Sequence, residues 1–403
     1  MDVRIRPRSP QPMSVAERPV EIDLSPLFQP ITIRNLTLLN RFVMPAMQRF
    51  WCADGHPFPE LGEYYCRRLE GGAALIITEA CAVDDPSATQ VSHYCRISDP
   101  TSDAWRDCLR PVKEADGKFF MQLWHEGAAR AEGGDGPYSQ FPTLSPSGLL
   151  SADRANGRAA TAAELARIRD AFVRGAVIAR NLGAAGVEVH AAHGSLLHQF
   201  LWKRVNRRCD GYGGDDIRSR VRFPAEIVAA IRAALGSDFP ISFRFSQWTT
   251  TDYTAKIVES PGELEIMLSV LRCAGVDLFH VSARRFWTPE WHGSDLSLAG
   301  WTKKLTDARV LAVGSVGFDI DVMETLGAGK EARFTGRASF AELLRRFSRG
   351  DFDMIAIGRG QIGDPHMVRK LSEGRLGDIR AFTVADLNVK DADISNAEVG
   401  VSG

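Results

Sequence analysis

No apolar run in this chain approaches the roughly 20 residues that cross a bilayer, and its first stretch, MDVRIRPRSPQPMSVAERP, has no apolar core of the kind a secretion signal needs. These two absences predict a protein that neither spans a membrane nor is secreted, and place it in the cytoplasm. Charge of one sign is missing as well. The chain has 49 Lys and Arg against 50 Asp and Glu, a formal net charge of −1, with no long run of either sign. That leaves no electrostatic footprint for nucleic acid or an anionic membrane, so the expected partner is a small molecule. The 7 cysteines include no Cys-x-x-Cys pair, and an odd, scattered set suits reduced thiols. No G-x-G-x-x-G turn follows the first β-rich run, which removes support for an open, doubly wound nucleotide-binding sheet.

What is present is an alternation. The 403 residues are 44% hydrophobic, enough for one large α/β barrel or two ordinary domains. Short β-rich runs recur as RFVMPAM (41–47), AALIITEA (73–80), KFFMQLW (118–124), GVEVHAAH (186–193), PISFRFSQW (240–248), DLFHVSAR (277–284), RVLAVGSVG (309–317) and FDMIAIGRG (352–360). Helical periodicity fills the gaps, as in Phe223, Ile227, Ile231 and Leu235, or Leu264, Leu268 and Leu271. Eight strand–helix units predict a single closed (β/α)8 TIM barrel over residues 23–383, with a flexible Pro- and Arg-rich leader at 1–22 and a flexible acidic tail at 384–403. Two segments are too long for plain connections. Residues 126–160, after the third strand, are expected to run over the barrel mouth, and the loop after the sixth strand carries Phe286, Trp287, Trp291 and His292. Those aromatics either roof a pocket or seal the barrel top, and Arg284 or Arg285 beside them could meet an anionic substrate or cofactor.

In such a barrel the chemistry sits at the C-terminal strand ends, so polar residues there are the candidates. They are Gln48, Glu79, Gln122, His125, His190, His193, Arg244, Ser282, Arg284, Ser315 and Arg359. The last two ends, VGSVG and IGRG, are small-residue turns where the fold commonly binds phosphate, and Arg359 adds a bidentate charge. His190 and His193, three residues apart at the end of a buried strand, could donate parallel hydrogen bonds to one oxygen, or ligate a metal with His125 or Glu79 as a third ligand.

The ordered segments together identify the chain as a member of the old yellow enzyme family. LFQPITIRNLTLLNRFVMPAM resembles the family's opening, where a hairpin runs into strand one; EYYCRRLEGGAALIITEA resembles its first helix and second strand; KFFMQLWHEG resembles its third strand. GVEVHAAHGSLLHQFLWKRVNRRCDGYGGDDIRSRVRF resembles its signature segment, and FRFS, VGSVG and IGRGQIGDP its fifth, seventh and eighth strands. The resemblance spans about residues 25–380. It implies non-covalent FMN across the barrel mouth, with NAD(P)H as hydride donor and an activated alkene as acceptor, both using one site in turn. It places Pro45, Ala46, Met47 and Ala80 against the flavin ring, Gln122 at its pyrimidine edge, and Arg244 beside it as a fixed cation that tunes the flavin and serves catalysis. Ser315, Gly317, Gly358 and Arg359 would cradle the phosphate, while His190 and His193 grip the substrate's carbonyl oxygen, His190 bordering the flavin too. Relatives of this kind occur as monomers and homodimers.

Three positions depart from the family pattern. The usual proton-donating tyrosine is Ser195, the flavin-modulating Thr or Cys is Gln48, and a tyrosine found in one branch is Phe50. The proton for the substrate's α-carbon is therefore expected from water, from another tyrosine such as Tyr253 in the loop after the fifth strand, or not at all, which predicts slow turnover of all but strongly activated alkenes. Two other chemistries remain open from the residues: a flavin dehydrogenase working in the oxidative direction, and a metal-dependent hydrolase using the histidines.

Overall fold

Strands covered on both faces must be apolar nearly throughout, and the eight runs named above are. In the structure, a computed structural model that describes residues 22–133 and 136–387, they form β1 (Phe42–Met44), β2 (Leu75–Val83), β3 (Phe119–Trp124), β4 (Gly186–His193), β5 (Ile241–Thr249), β6 (Leu278–Ser282), β7 (Arg309–Val313) and β8 (Met354–Ala356). Every neighbouring pair is parallel, and β8 returns to pair with β1 (Ile355 with Phe42), so the barrel closes. The expected eight-stranded barrel is what the chain builds. Several strands are shorter than their apolar runs, because β6, β7 and β8 stop where glycine and polar residues begin to turn the chain at the barrel mouth.

The helical repeats pack outside. Helix α1 spans Pro59–Glu70, α2 Ser102–Cys108, α3 Ala162–Asn181, α4 Ile217–Leu235, α5 Pro261–Ala274, α6 Leu298–Leu305, α7 Gly336–Arg349 and α8 Met367–Ser372. The stripes read from sequence are buried as stripes: Phe223, Ile227, Ile231 and Leu235 on α4, and Leu264, Leu268 and Leu271 on α5. Local chemistry sets the ends. Thr161 and Glu164 form a reciprocal capping box at the start of α3, and Gly275 ends α5 at φ 118°, a value that costs glycine little.

A hairpin, Ile31–Ile33 with Leu36–Leu38, precedes β1. Its Ile31, Ile33, Leu36 and Leu38 face one way and pack on Val43, Leu75, Phe120, Leu278, Leu311 and Met354, plugging the N-terminal end of the barrel. Burying four such side chains contributes on the order of 6–12 kcal/mol, and it leaves the opposite end as the open one. Residues 1–21 of the predicted leader and 388–403 of the predicted tail lie outside the described residues; the stretch from 384 begins with a turn, Val384–Leu387, whose Asp386 is buried.

Both long excursions are anchored to the barrel. After β3, the buried Arg130 donates to the carbonyls of Phe141 and Tyr138, and residues 144–145 pair with 158–159. After β6, Phe286 is buried against Trp287 and Phe352, while Trp291 packs on Trp301 and donates to the Glu259 carbonyl. These aromatics seal the barrel's flank and do not roof a pocket. The same loop settles Arg284 and Arg285: they pair with Asp321 and Glu324, so the anionic-ligand role considered for them is not what their guanidinium groups do. No helix among the described residues is long and apolar enough to cross a membrane.

Candidate active site

Because alternate residues of a strand share a face, Glu188 and His190 on β4 both point into the barrel, as do Ser242 and Arg244 on β5. Register then stacks them in rows. Glu188 lies beside Gln122 of β3 and Ser242 of β5, and one step nearer the mouth His190 lies beside Arg244, which lies beside His280 of β6. The lower row is a closed network. The fully buried Glu188 carboxylate accepts from Gln122 Nε2 (2.7 Å), Ser242 Oγ (2.8 Å) and His280 Nδ1 (2.7 Å). Burial alone would raise this carboxyl, but His280, Arg244 and Gln122 hold it at about 2, so it is an anion beneath the mouth.

The upper row is open. Arg244 touches the Ala46 carbonyl (3.4 Å), and its Nε has no partner among the described residues. Neither ring nitrogen of His190 is hydrogen-bonded among them, and Nδ1 is fully enclosed. Burial and the charge of Arg244 lower His190 to about 3, and the same causes push His193 well below its ordinary value, so both imidazoles are neutral. His193 stacks on Trp248 at 4.5 Å, and its Nε2 lies 2.8 Å from Ser282 Oγ. In the tautomer in which Ser282 donates to Nε2, the proton of His193 sits on Nδ1. The two rings are 5.4 Å apart at 57°, so they converge on the cavity without being parallel.

Backbone irregularity marks the same places. The ladder slips between Ile77 and Ala80 on β2 and between Ala191 and His193 on β4. His193 adopts φ 60°, costly for a residue with a Cβ and characteristic of ligand sites. Ala80 is in turn bracketed by Gln48, whose amide accepts from its N–H (3.1 Å) and donates to its carbonyl (3.5 Å).

These elements enclose a cavity of about 380 Å³ lined by Ala46, Gln48, Ala80, Gln122, His190, His193 and Arg244. Its walls also include Phe50, Tyr94, Glu126 and Thr250 from the loops and Trp124 from the end of β3; of these, Tyr94, Trp124, Glu126 and Thr250 were not anticipated from sequence. A hollow of about 490 Å³ at the other end lies between the hairpin and the bottoms of the strands, and its Asp116 and Lys118 pair with each other.

A second cluster sits where β7 and β8 end. Gly314 (φ 153°), Ser315 (φ 52°) and Gly317 (φ 83°) make the turn after β7. The Arg359 guanidinium is pinned to it through the Ile320 carbonyl, Thr325 Oγ1 (2.8 Å) and Ser315 Oγ (3.4 Å), and burial lowers it to about 10, still a cation. Gly358 leaves room for β1: a Cβ there would come 3.1 Å from Met47 Sδ and 3.8 Å from Pro45 Cγ. The Gly317 N–H expected in the anion cradle instead donates to Ser339 Oγ (2.8 Å).

Four candidates fall away from the mouth chemistry. His125 is spent on Ser87 (3.0 Å) and the Gly127 N–H (3.0 Å), and burial lowers it to about 4. Glu79 accepts from the Arg49 N–H (2.7 Å). Neither joins His190 and His193; among the described residues only Cys52, Glu79 and Cys95 group closely enough to hold a metal, and burial raises both that carboxyl and the Cys95 thiol. The three-histidine hydrolase reading is therefore wrong. Tyr253 packs on Trp248 and under Arg284 outside the cavity, so it is not the proton source considered for it. Ser195 donates to the His190 carbonyl (3.2 Å), capping the strand's turn.

A closed parallel barrel whose mouth holds an open arginine, neutral paired imidazoles and a basic strand-end turn has a known counterpart. The model of the NADH:flavin oxidoreductase / NADH oxidase family matches residues 26–378. The chain belongs to that family. Its cofactor is FMN, and the open polar atoms fit it: Arg244 and the imidazoles offer donors to ring oxygens and nitrogens, and Arg359 lies where the fold binds phosphate. A relative described as an NADH oxidase, from Thermoanaerobacter brockii, is 34% identical over 88% of this chain and 52% of that protein; the chain thus spans about half its length. Morphinone reductase superposes with a TM-score of 0.69 at 25% identity, covering 89% of this chain and 90% of its own. The old yellow enzyme of Pichia sp. AKU4542 has the same barrel, with a TM-score of 0.72 at 22% identity over 90% and 89% of the two chains.

Proposed function

We propose that this protein is an FMN-dependent oxidoreductase that takes hydride from NAD(P)H and reduces an alkene conjugated to a carbonyl, the two substrates using the mouth cavity in turn. FMN, when bound, accepts hydride from the nicotinamide and returns it to the alkene. Support for the acceptor class comes from the reductase names among its relatives, morphinone reductase included, and above all from one observation: two neutral imidazoles with open nitrogens face one cavity. Neutral rings are the right electrophiles here. Each donates a hydrogen bond to the substrate's carbonyl oxygen, more strongly as negative charge builds there when the β-carbon gains hydride.

Arg244 contributes the fixed positive charge that favours an anionic reduced ring, and the Glu188 carboxylate orients Gln122 towards the ring's polar edge. Pro45, Ala46, Met47 and Ala80 supply the wall, with His190 along it, and Gly358 and Arg359 the phosphate contact, Ser315 shaping the turn. Since the Gly317 N–H is bonded within the protein, that glycine serves the turn and not the anion.

The test is anaerobic spectroscopy of the purified holoenzyme. NAD(P)H should bleach the flavin and cyclohexenone should restore its colour. His190→Ala with His193→Ala should slow the enone-driven recovery by at least about 100-fold, the usual worth of even one lost oxyanion donor. Recovery at the wild-type rate in the double variant would overturn the assigned role of the pair.

A further inference from the structure

With Ser195 in place of the family's tyrosine, the reaction proposed above still needs one proton at carbon. Hydride adds to the β-carbon, the enolate pair moves onto the α-carbon, and that carbon must take a proton from some acid at the cavity wall. The walls offer few. Ser195 uses its hydroxyl proton on the His190 carbonyl. Thr250 donates to the His193 carbonyl (3.3 Å), and Gln48 is held by Ala80. Neutral imidazoles and a guanidinium are far too weak as acids for the task. Two groups remain, Tyr94 and Glu126.

Their situations differ. The Tyr94 ring is clamped edge-on against Trp124 (5.1 Å) and beside Phe50 (5.4 Å), and its hydroxyl makes no hydrogen bond among the described residues. Glu126 bonds to Thr89 through its side chain, while its Oε2 is enclosed and has no partner among the described residues. We infer that Tyr94 is the acid that protonates the substrate's α-carbon. The reading rests on the enone reduction proposed above. In the step, the Tyr94 O–H bond breaks, its proton bonds to the α-carbon through the enolate's electron pair, and the phenolate regains a proton from water. Burial raises the Tyr94 phenol, and the nearby Glu126 charge raises it further, so the hydroxyl keeps its proton at neutral and mildly alkaline pH.

Tyr94→Phe keeps the ring packing and removes only the acid. Reduced flavin in the holoenzyme is reoxidised with cyclohexenone or with ferricyanide, which takes electrons without protonating carbon. The expected result is an enone-to-ferricyanide rate ratio at least about 100-fold lower than wild type, the usual worth of a general acid. An unchanged ratio overturns the proposal in favour of water, and rates that fall together overturn it in favour of a structural role. Wild-type flavin that bleaches with NAD(P)H but is never reoxidised by enones would instead overturn the proposed function, and the donor role with it. Independently of turnover, the alkaline limb of the enone rate should follow the tyrosinate ultraviolet titration that is lost in Tyr94→Phe. An alkaline limb that persists unchanged in Tyr94→Phe overturns the proposal.

Discussion

His198 offers a sharp test of how the interior treats imidazole. It lies on the short helix Leu196–Leu201, fully buried, edge-on to Trp202 at 6.3 Å, and neither ring nitrogen has a partner among the described residues. Unmet polar atoms cost about 1–3 kcal/mol, so His198→Leu, which fills similar space with carbon, should stabilise the protein by about 2 kcal/mol near neutral pH. Acid enlarges the difference. Burial lowers His198 from 6.5 to about 3, so below 6.5 the unfolded chain takes up a proton that the folded one refuses. Stability present above 6.5 is then lost as pH falls towards the folded value, at about 1.4 kcal/mol per pH unit. Near pH 5 the loss from this ring is about 2 kcal/mol, and the leucine variant escapes it. Its advantage over wild type should therefore grow from about 2 to about 4 kcal/mol. Urea unfolding of the holoenzyme, followed by circular dichroism at both pH values, measures it; an advantage that does not change with pH refutes the reasoning. His190 and His125, lowered to about 3 and about 4, act in the same direction. The three together should make wild type less stable in mild acid than near neutral pH.

Other perturbations test the site's supports. Gly314→Ala should cost about 3 kcal/mol in urea unfolding, since at φ 153° its Cβ would meet the Ala283 carbonyl oxygen at 2.5 Å. Glu188→Gln preserves shape but leaves Arg244 without its buried counter-charge, so a loss of about 3 kcal/mol is expected; an equally stable variant would mean that Arg244 is compensated elsewhere. Arg359→Met should weaken FMN binding by about 10- to 100-fold in a fluorescence titration, the worth of one charged hydrogen-bonding group. Arg284→Met should leave the KM for NAD(P)H unchanged and lower only stability, because that arginine serves Asp321.

The fold was legible because its signals are collective. Eight apolar runs and the α4 and α5 stripes each repeat one physical demand, burial on the correct face, and no single misread residue alters it. GVEVHAAH could be placed to the residue, since its neighbours on both sides are glycine-bounded or helical; RVLAVGSVG and FDMIAIGRG could not, because hydrophobicity continues past the end of the ladder, in RVLAVGSVG into a turn with positive φ at Gly314, Ser315 and Gly317. Glu188 and His280 were passed over for a related reason. Both lie in the middle of apolar strands, where a polar residue looks like an exception, and only the register between three strands turns Gln122, Glu188, Ser242 and His280 into one network.

At the mouth the sequence offers many polar residues of equal standing, and what separates them is whether the protein has already used their hydrogen-bonding capacity. His125, Arg284 and Ser195 are closed: each finds its partner within the chain, and each lies on a segment whose path that bond fixes. His190, Arg244 and Tyr94 meet in one cavity with atoms that have no partner among the described residues, and the buried ones, His190 Nδ1 and Arg244 Nε, are a cost that folding alone gives no reason to keep. The closed set holds the open set in place: Glu188 beneath Arg244, Ser195 under the His190 carbonyl, Ser282 on His193, Trp124 against Tyr94. Residue type and spacing could suggest the histidines and the arginine because their positions are fixed by one strand each. Tyr94 reaches the same cavity from a loop, and its place there depends on the packing of Phe50 and Trp124 from two other segments, which no local pattern encodes.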